Sequence, residues 1–172
     1  MMGDAGGPQR EGRHVVSEEG FRKAREIALR ALARRSRTVS QMRDYLTAKG
    51  VEAKTVEGVI ADLLERGHLD DRTYATFFAQ DAARLRRQGR RRIDLELDKR
   101  GIAPELRQEV LDALFTECSE VEIATQALEK RFAGKDLHER TTRDKAIRFL
   151  QRKGFGWDVI REALEAFTAR SS

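Results

Sequence analysis

A chain of 172 residues with 34 Lys and Arg against 29 Asp and Glu carries a formal charge of +5, compatible with a polyanionic partner but too mild to identify one. Charged residues make up 37%, hydrophobic ones 40%, and the pI is near 9.6, a balance that suits helices with broad solvated faces. No apolar run approaches a membrane span, the Gly-rich start lacks the apolar core of a signal peptide, and the single Cys118 excludes an intrachain disulfide; a cytoplasmic protein with no membrane contact is expected.

Residues 1–16, with Gly3, Gly6, Gly7, Pro8 and Gly12, read as a disordered tail. Ser17 then caps a helix with Phe21, Ala24, Ile27, Ala28, Ala31 and Leu32 along one side. Thr38 with Gln41 has the pattern of a capping box and opens a short second helix that stops at Gly50. A third runs from about Ala53 to Arg66 and stops at Gly67. Asp70 or Asp71 caps the fourth, whose Tyr74, Phe77, Phe78, Ala82 and Leu85 are expected to face the core. Gly89 interrupts it, and a fifth helix with Ile93 and Leu97 follows. Pro104 suits the first turn of the sixth, where its missing N–H is no loss, and Leu106, Val110, Leu111 and Leu114 form the buried side. Val121, Ala124, Ala127 and Leu128 mark the seventh. After a polar loop around residues 134–140, Thr141 with Asp144 opens the eighth, and Trp157 to Ala169 closes the chain.

One local pattern occurs three times. Leu46-Thr47-Ala48-Lys49-Gly50-Val51, Leu97-Asp98-Lys99-Arg100-Gly101-Ile102 and Leu150-Gln151-Arg152-Lys153-Gly154-Phe155 all read Leu-x-x-(Lys/Arg)-Gly-apolar, at intervals of 51 and 53 residues. Gly in the left-handed conformation ends a helix, and the Leu and the apolar residue are the pair that meet in a Schellman cap. The same apolar spacing follows each copy: Val59, Ile60, Leu63, then Val110, Leu111, Leu114, then Ala163, Leu164, Phe167. A period near fifty residues implies an all-α, elongated array of three tandem three-helix repeats, each helix-turn-helix-like, with boundaries at 17–67, 68–118 and 119–172.

Positive charge gathers on equivalent elements of the first two repeats. Seven basic residues and only Glu26 lie between Arg22 and Arg37, and eight lie between Arg84 and Arg100 against Asp94, Glu96 and Asp98. The third helices lean acidic, as in Glu105, Glu109, Asp112 and Glu117. If Gly89 is a turn, Arg90, Arg91 and Arg92 crown the next helix, where cations oppose the helix dipole; that local cost points to a partner. A single such run is as often a solvated face, but two at matching positions favour an interaction surface.

Residues able to carry chemistry have simpler explanations. Adjacent Asp70 and Asp71 diverge by about 100° on a helix, so an N-cap plus a first-turn acid accounts for them. His14, His68 and His138 have no metal-ligand spacing, so no metal or cofactor is expected. Cys118 reads as a packed thiol, and Phe77, Phe78 and Trp157 sit at core spacing. No phosphate loop or nucleophile elbow is present, and the chain is read as a non-enzyme.

Gly67-His68-Leu69-Asp70-Asp71-Arg72-Thr73-Tyr74-Ala75, followed by Phe78, Arg84, Gly89, Arg92-Ile93, Leu97 and Lys99-Arg100-Gly101-Ile102, resembles the RecX family of RecA regulators. Leu32 to Thr38, Leu46 and Lys49-Gly50 extend the resemblance, while His68 and Met42 depart mildly from it. The resemblance implies a protein that binds RecA–DNA filaments and restrains recombinase, ATPase and coprotease activity in DNA repair and the SOS response. A weak sequence-independent contact with single- or double-stranded DNA and a monomeric state are part of this expectation. Arg34, Arg35, Arg37, Arg84, Arg86, Arg87, Arg90, Arg91, Arg92, Lys99 and Arg100 are the expected contacts. The alternative is a tandem helix-turn-helix regulator reading duplex DNA, whose recognition helices would then be acid-leaning.

Overall fold

The structure, a computed structural model, describes residues 17–171; the tail expected over 1–16 lies outside the described residues. It contains α1 (Glu18–Arg34), α2 (Val39–Ala48), α3 (Ala53–Glu65), α4 (Asp71–Arg84), α5 (Arg90–Asp98), α6 (Pro104–Glu117), α7 (Glu120–Phe132), α8 (Arg140–Lys153) and α9 (Trp157–Ser171), with no strand among the described residues. They form three tandem three-helix repeats.

Local chemistry sets the helix starts. The Ser17 hydroxyl accepts from the Gly20 amide at 3.0 Å, and Thr38 and Gln41 form the reciprocal capping box. Asp70, not Asp71, caps α4, accepting from the Thr73 amide at 3.0 Å, and Pro104 occupies the first turn of α6. The eighth helix departs from expectation. It starts at Arg140, because the Glu139 carboxylate accepts the hydroxyls of Thr141 and Thr142, leaving Thr141 no cap role.

The buried side chains form two clusters. Met42, Leu46, Val59, Ile60 and Leu63 fill the first repeat with Ala24 and Ala28. A second cluster is continuous through repeats two and three, from Ala75 to Phe167. A fully buried Leu such as Leu46 or Leu97 contributes about 1.5–3 kcal/mol. Three aromatic or aliphatic side chains expected inside are outside: Phe77, Leu85 and Trp157 are 66%, 69% and 58% exposed. The inward line of α4 is Ala75, Ala79, Ala82 and Ala83, small enough for close helix approach; Phe77 lies on the opposite side and Leu85 past the last turn. Trp157 opens α9, whose inward side begins at Ile160.

All three repeated terminators are Schellman caps. Gly50, Gly101 and Gly154 have φ of 78°, 73° and 88°, and the amides of Val51, Ile102 and Phe155 each bond at 3.2 Å to the carbonyls of Leu46, Leu97 and Leu150. The second and third copies are also joints. The cap of one repeat sits on the start of the middle helix of the repeat before it. The Arg100 carbonyl accepts from the Thr38 hydroxyl at 2.6 Å, and a Cβ on Gly101 would fall 2.3 Å from Ser40 Cβ. The carbonyls of Lys153 and Gly154 accept from the amides of Gly89 and Arg91 at 2.9 and 3.2 Å, and a Cβ on Gly154 would fall 2.4 Å from the Arg92 amide nitrogen. Asp71 reinforces the first joint by accepting from the Val39 amide at 2.8 Å. Gly50, in the first repeat, meets open space.

Candidate functional site

The joints hold the starts of α2 and α5, and the candidate cations surround them. Arg34 and Arg35 are exposed at the end of α1. Arg37, in the connection to α2, lies 4.4 Å from the Tyr45 ring centroid, with Lys49 at 5.6 Å on the same ring. At the end of α4, Arg84 points a guanidinium nitrogen at the Cys118 sulfur, 3.5 Å away; the thiol is half-buried beside the second core cluster. Phe78 stacks on Tyr74 with ring planes 4° apart, and carries the guanidinium groups of Arg86 and Arg100 at 5.0 and 4.2 Å from its centroid. An aromatic assigned to packing is therefore also a plate that fixes two cations, which no local pattern announced.

Gly89 is a turn, so Arg90, Arg91 and Arg92 do crown α5, but the structure divides them. Arg90 pairs with Asp112 at 2.6 Å and lies over the Phe115 ring; Arg92 pairs with Glu96 at 3.0 Å, and Arg100 with the same carboxylate at 2.9 Å. The Arg100 hydrogen bond, then the charge of Arg92, holds the Glu96 carboxyl below its ordinary range, and Arg90 does the same for Asp112. Arg34, Arg35, Arg37, Arg84, Arg86, Arg87, Arg91 and Lys99 make no ion pair among the described residues. They remain available to an external anion. The acidity of the third helices is partly answered internally, since Glu109 pairs with Arg72 and Asp112 with Arg90.

Beside these cations, a cavity of about 480 Å³ opens between the first two repeats, lined by Leu32, Arg37, Tyr74, Phe77, Phe78 and Asp81 among others. Asp70 is engaged as a cap and Asp71 as a joint, where burial pushes its carboxyl above the ordinary range. Among the described residues no helix is long and apolar enough to cross a membrane, and no His, Cys, Asp and Glu gather as a metal site would need.

Three helix-turn-helix-like repeats, joined cap to helix start, define a tandem helical-repeat protein. The chain belongs to the RecX family of regulatory proteins: the family's first, second and third three-helix domains match residues 24–63, 70–111 and 119–164. The Regulatory protein RecX of Clostridium perfringens is 32% identical over 161 residues, covering 91% of this chain and 74% of that one. The protein of the same name from Pelodictyon phaeoclathratiforme is 31% identical over 142 residues, covering 82% and 86%. The crystal structure of RecX from Lactobacillus salivarius shares the fold, with a TM-score of 0.77 at 22% identity over 89% of this chain and 99% of that one.

Proposed function

We propose that this chain regulates a RecA recombinase by binding the RecA–DNA filament and restraining its strand exchange, ATP hydrolysis and coprotease activity, and so acts in DNA repair and the SOS response. Family membership supports RecA as the partner. The observation that carries the mode of action is the set of cations on repeats one and two, Arg34, Arg35 and Arg37, then Arg84, Arg86, Arg87, Arg91 and Lys99, none of which makes an ion pair among the described residues. Arg90, Arg92 and Arg100 join the same surface while held by Asp112 and Glu96. Repeated weak contacts on successive protomers of a filament add through effective concentration, so a surface of modest single-site affinity suffices. Any direct DNA contact is to the backbone, sequence-blind and steeply weakened by salt.

Charge reversal at Arg34, Arg35 and Arg91 tests this reading, because all three are exposed and outside the joints' side-chain contacts. The variant is expected to keep its helicity and melting temperature and to need several-fold more protein for half-inhibition of RecA-catalysed, DNA-dependent ATP hydrolysis. Undiminished inhibition removes the surface from the account.

A further inference from the structure

A second cavity, of about 450 Å³, lies between the end of α4 and the helices α7 and α8, and its charge is all of one sign. Arg86, Arg87, Lys130, Arg131 and Lys153 line it, and no carboxylate does. None of the five makes an ion pair among the described residues. Lys153 is drawn into it, its ammonium donating to the Arg86 carbonyl at 2.8 Å; burial first, then Arg87 and Lys130, pushes its pKa down. Crowded like charges without a counter-charge oppose folding, so an external anion would relieve them.

Two further observations set this cavity apart from a solvated face. Arg87 has φ of 51°, the one non-glycine residue at positive φ among the described residues, and strain of this kind collects at binding and catalytic sites. Its Nε and the neighbouring Gln88 Oε1 are buried without hydrogen-bond partners. The cavity between the first two repeats differs in kind: Tyr74, Phe77 and Phe78 line it together with Asp70 and Asp81, whereas no acid lines this one.

We propose that this cavity is a binding site for a ligand bearing at least two neighbouring phosphate groups. Guanidinium and ammonium side chains lining one small volume match the dense acceptors of adjacent phosphates better than carboxylates spaced along a peptide. The Phe149 ring in its wall already carries the Lys153 ammonium at 5.8 Å and meets Phe132 edge-on, so no free ring is offered to a nucleobase. Recognition is of phosphate alone. A free polyphosphate and the backbone of a nucleic-acid strand share that chemistry. The site is separable from the proposed filament contacts, since Lys130, Arg131 and Lys153 lie outside them.

The test titrates inorganic tripolyphosphate into the full chain, read by calorimetry and by the rise in melting temperature. Three proteins are compared: the unaltered chain, Lys130→Gln/Arg131→Gln, and Arg143→Gln/Lys145→Gln, which removes the same charge from exposed positions of α8 outside the cavity. Loss of two charge-assisted contacts should weaken binding by about tenfold or more in the first variant, with the second unchanged. Absent binding by the unaltered chain, equal binding by all three, or equal weakening in both variants overturns the proposal. So does an Asp/Glu-rich peptide that binds in the cavity and that tripolyphosphate does not displace. A labelled oligothymidylate then identifies the source. If the Lys130→Gln/Arg131→Gln change weakens its binding and tripolyphosphate displaces it, the ligand is a strand; if neither holds while tripolyphosphate binds, the ligand is a small polyphosphate.

Discussion

Replacing each of the repeated glycines with alanine separates two roles that one motif plays. At Gly50 the new Cβ meets nothing within 4 Å, so the cost is that of a left-handed alanine, about 1–2 kcal/mol, partly offset by about 0.4–1 kcal/mol from a less flexible unfolded chain. A net loss of about 1 kcal/mol is expected. At Gly154 the same backbone cost applies, but the Cβ would sit 2.3 Å from Arg92 Cβ and 2.4 Å from its amide nitrogen, which real atoms do not tolerate. Backing the cap away adds about 1–3 kcal/mol of overpacking strain and weakens the Gly89 and Arg91 hydrogen bonds, each about 0.5–1.5 kcal/mol. The sum, about 3–5 kcal/mol, is a large share of the 5–15 kcal/mol expected for a whole domain. Gly101, whose Cβ would strike Ser40, belongs with Gly154. Urea unfolding followed by helical circular dichroism is the assay. Gly50→Ala should shift the midpoint slightly at an unchanged slope. Gly101→Ala and Gly154→Ala should shift it severalfold further and broaden the transition, as coupling between neighbouring repeats fails. Three equal shifts would refute the joint as a source of stability beyond the cap.

Asp71→Ala strands the Val39 amide and should cost about 1–2 kcal/mol, whereas Asp71→Asn keeps an acceptor there and should be nearly neutral. Because burial raises the Asp71 pKa in the folded state, its proton linkage favours folding below the unfolded carboxyl pKa, and that benefit is lost as pH rises through the folded value; Asp71→Asn should flatten the stability profile over that acid range, checked by melts at successive pH. Arg87→Gly should leave stability unchanged or raise it by up to about 1 kcal/mol by relieving φ of 51°, while weakening tripolyphosphate binding, which calorimetry would show. Arg90→Glu should lower the melting temperature by opposing Asp112, whereas Arg91→Glu, without an internal partner, should change filament inhibition and leave the melting temperature alone.

The helix ends were readable because their determinants are local. Ser17, the Thr38–Gln41 box, Pro104 and the three Gly terminators act within one turn of where they stand. What the terminators do next was not readable. Docking Gly101 on Ser40 and Gly154 on Arg92 is a contact between repeats, invisible to a short window. The outward placement of Phe77 follows from the alanine line of α4 outcompeting a larger side chain for a narrow helix contact, a tertiary choice that periodicity alone does not make. Among the cations, the Arg92–Glu96 and Glu96–Arg100 pairs were legible at i,i+4 spacing, but the Arg90–Asp112 pair forms only when α5 meets α6. Lys130, Arg131 and Lys153 escaped notice because they are scattered in repeat three and converge only on packing. No local signal marks them, since each reads as an ordinary cation in the last turn of α7 or α8.

The central claim is that the chain restrains a RecA filament through a surface of unneutralised cations. Titrating the purified protein into RecA filaments on single-stranded DNA, with ATP turnover and filament length followed together, tests it most directly. Falling turnover and shortened or stalled filaments, both lost when Arg34, Arg35 and Arg91 are reversed, are the predicted result. Turnover and length that stay level across the titration, or that fall alike with the reversed protein, would contradict it.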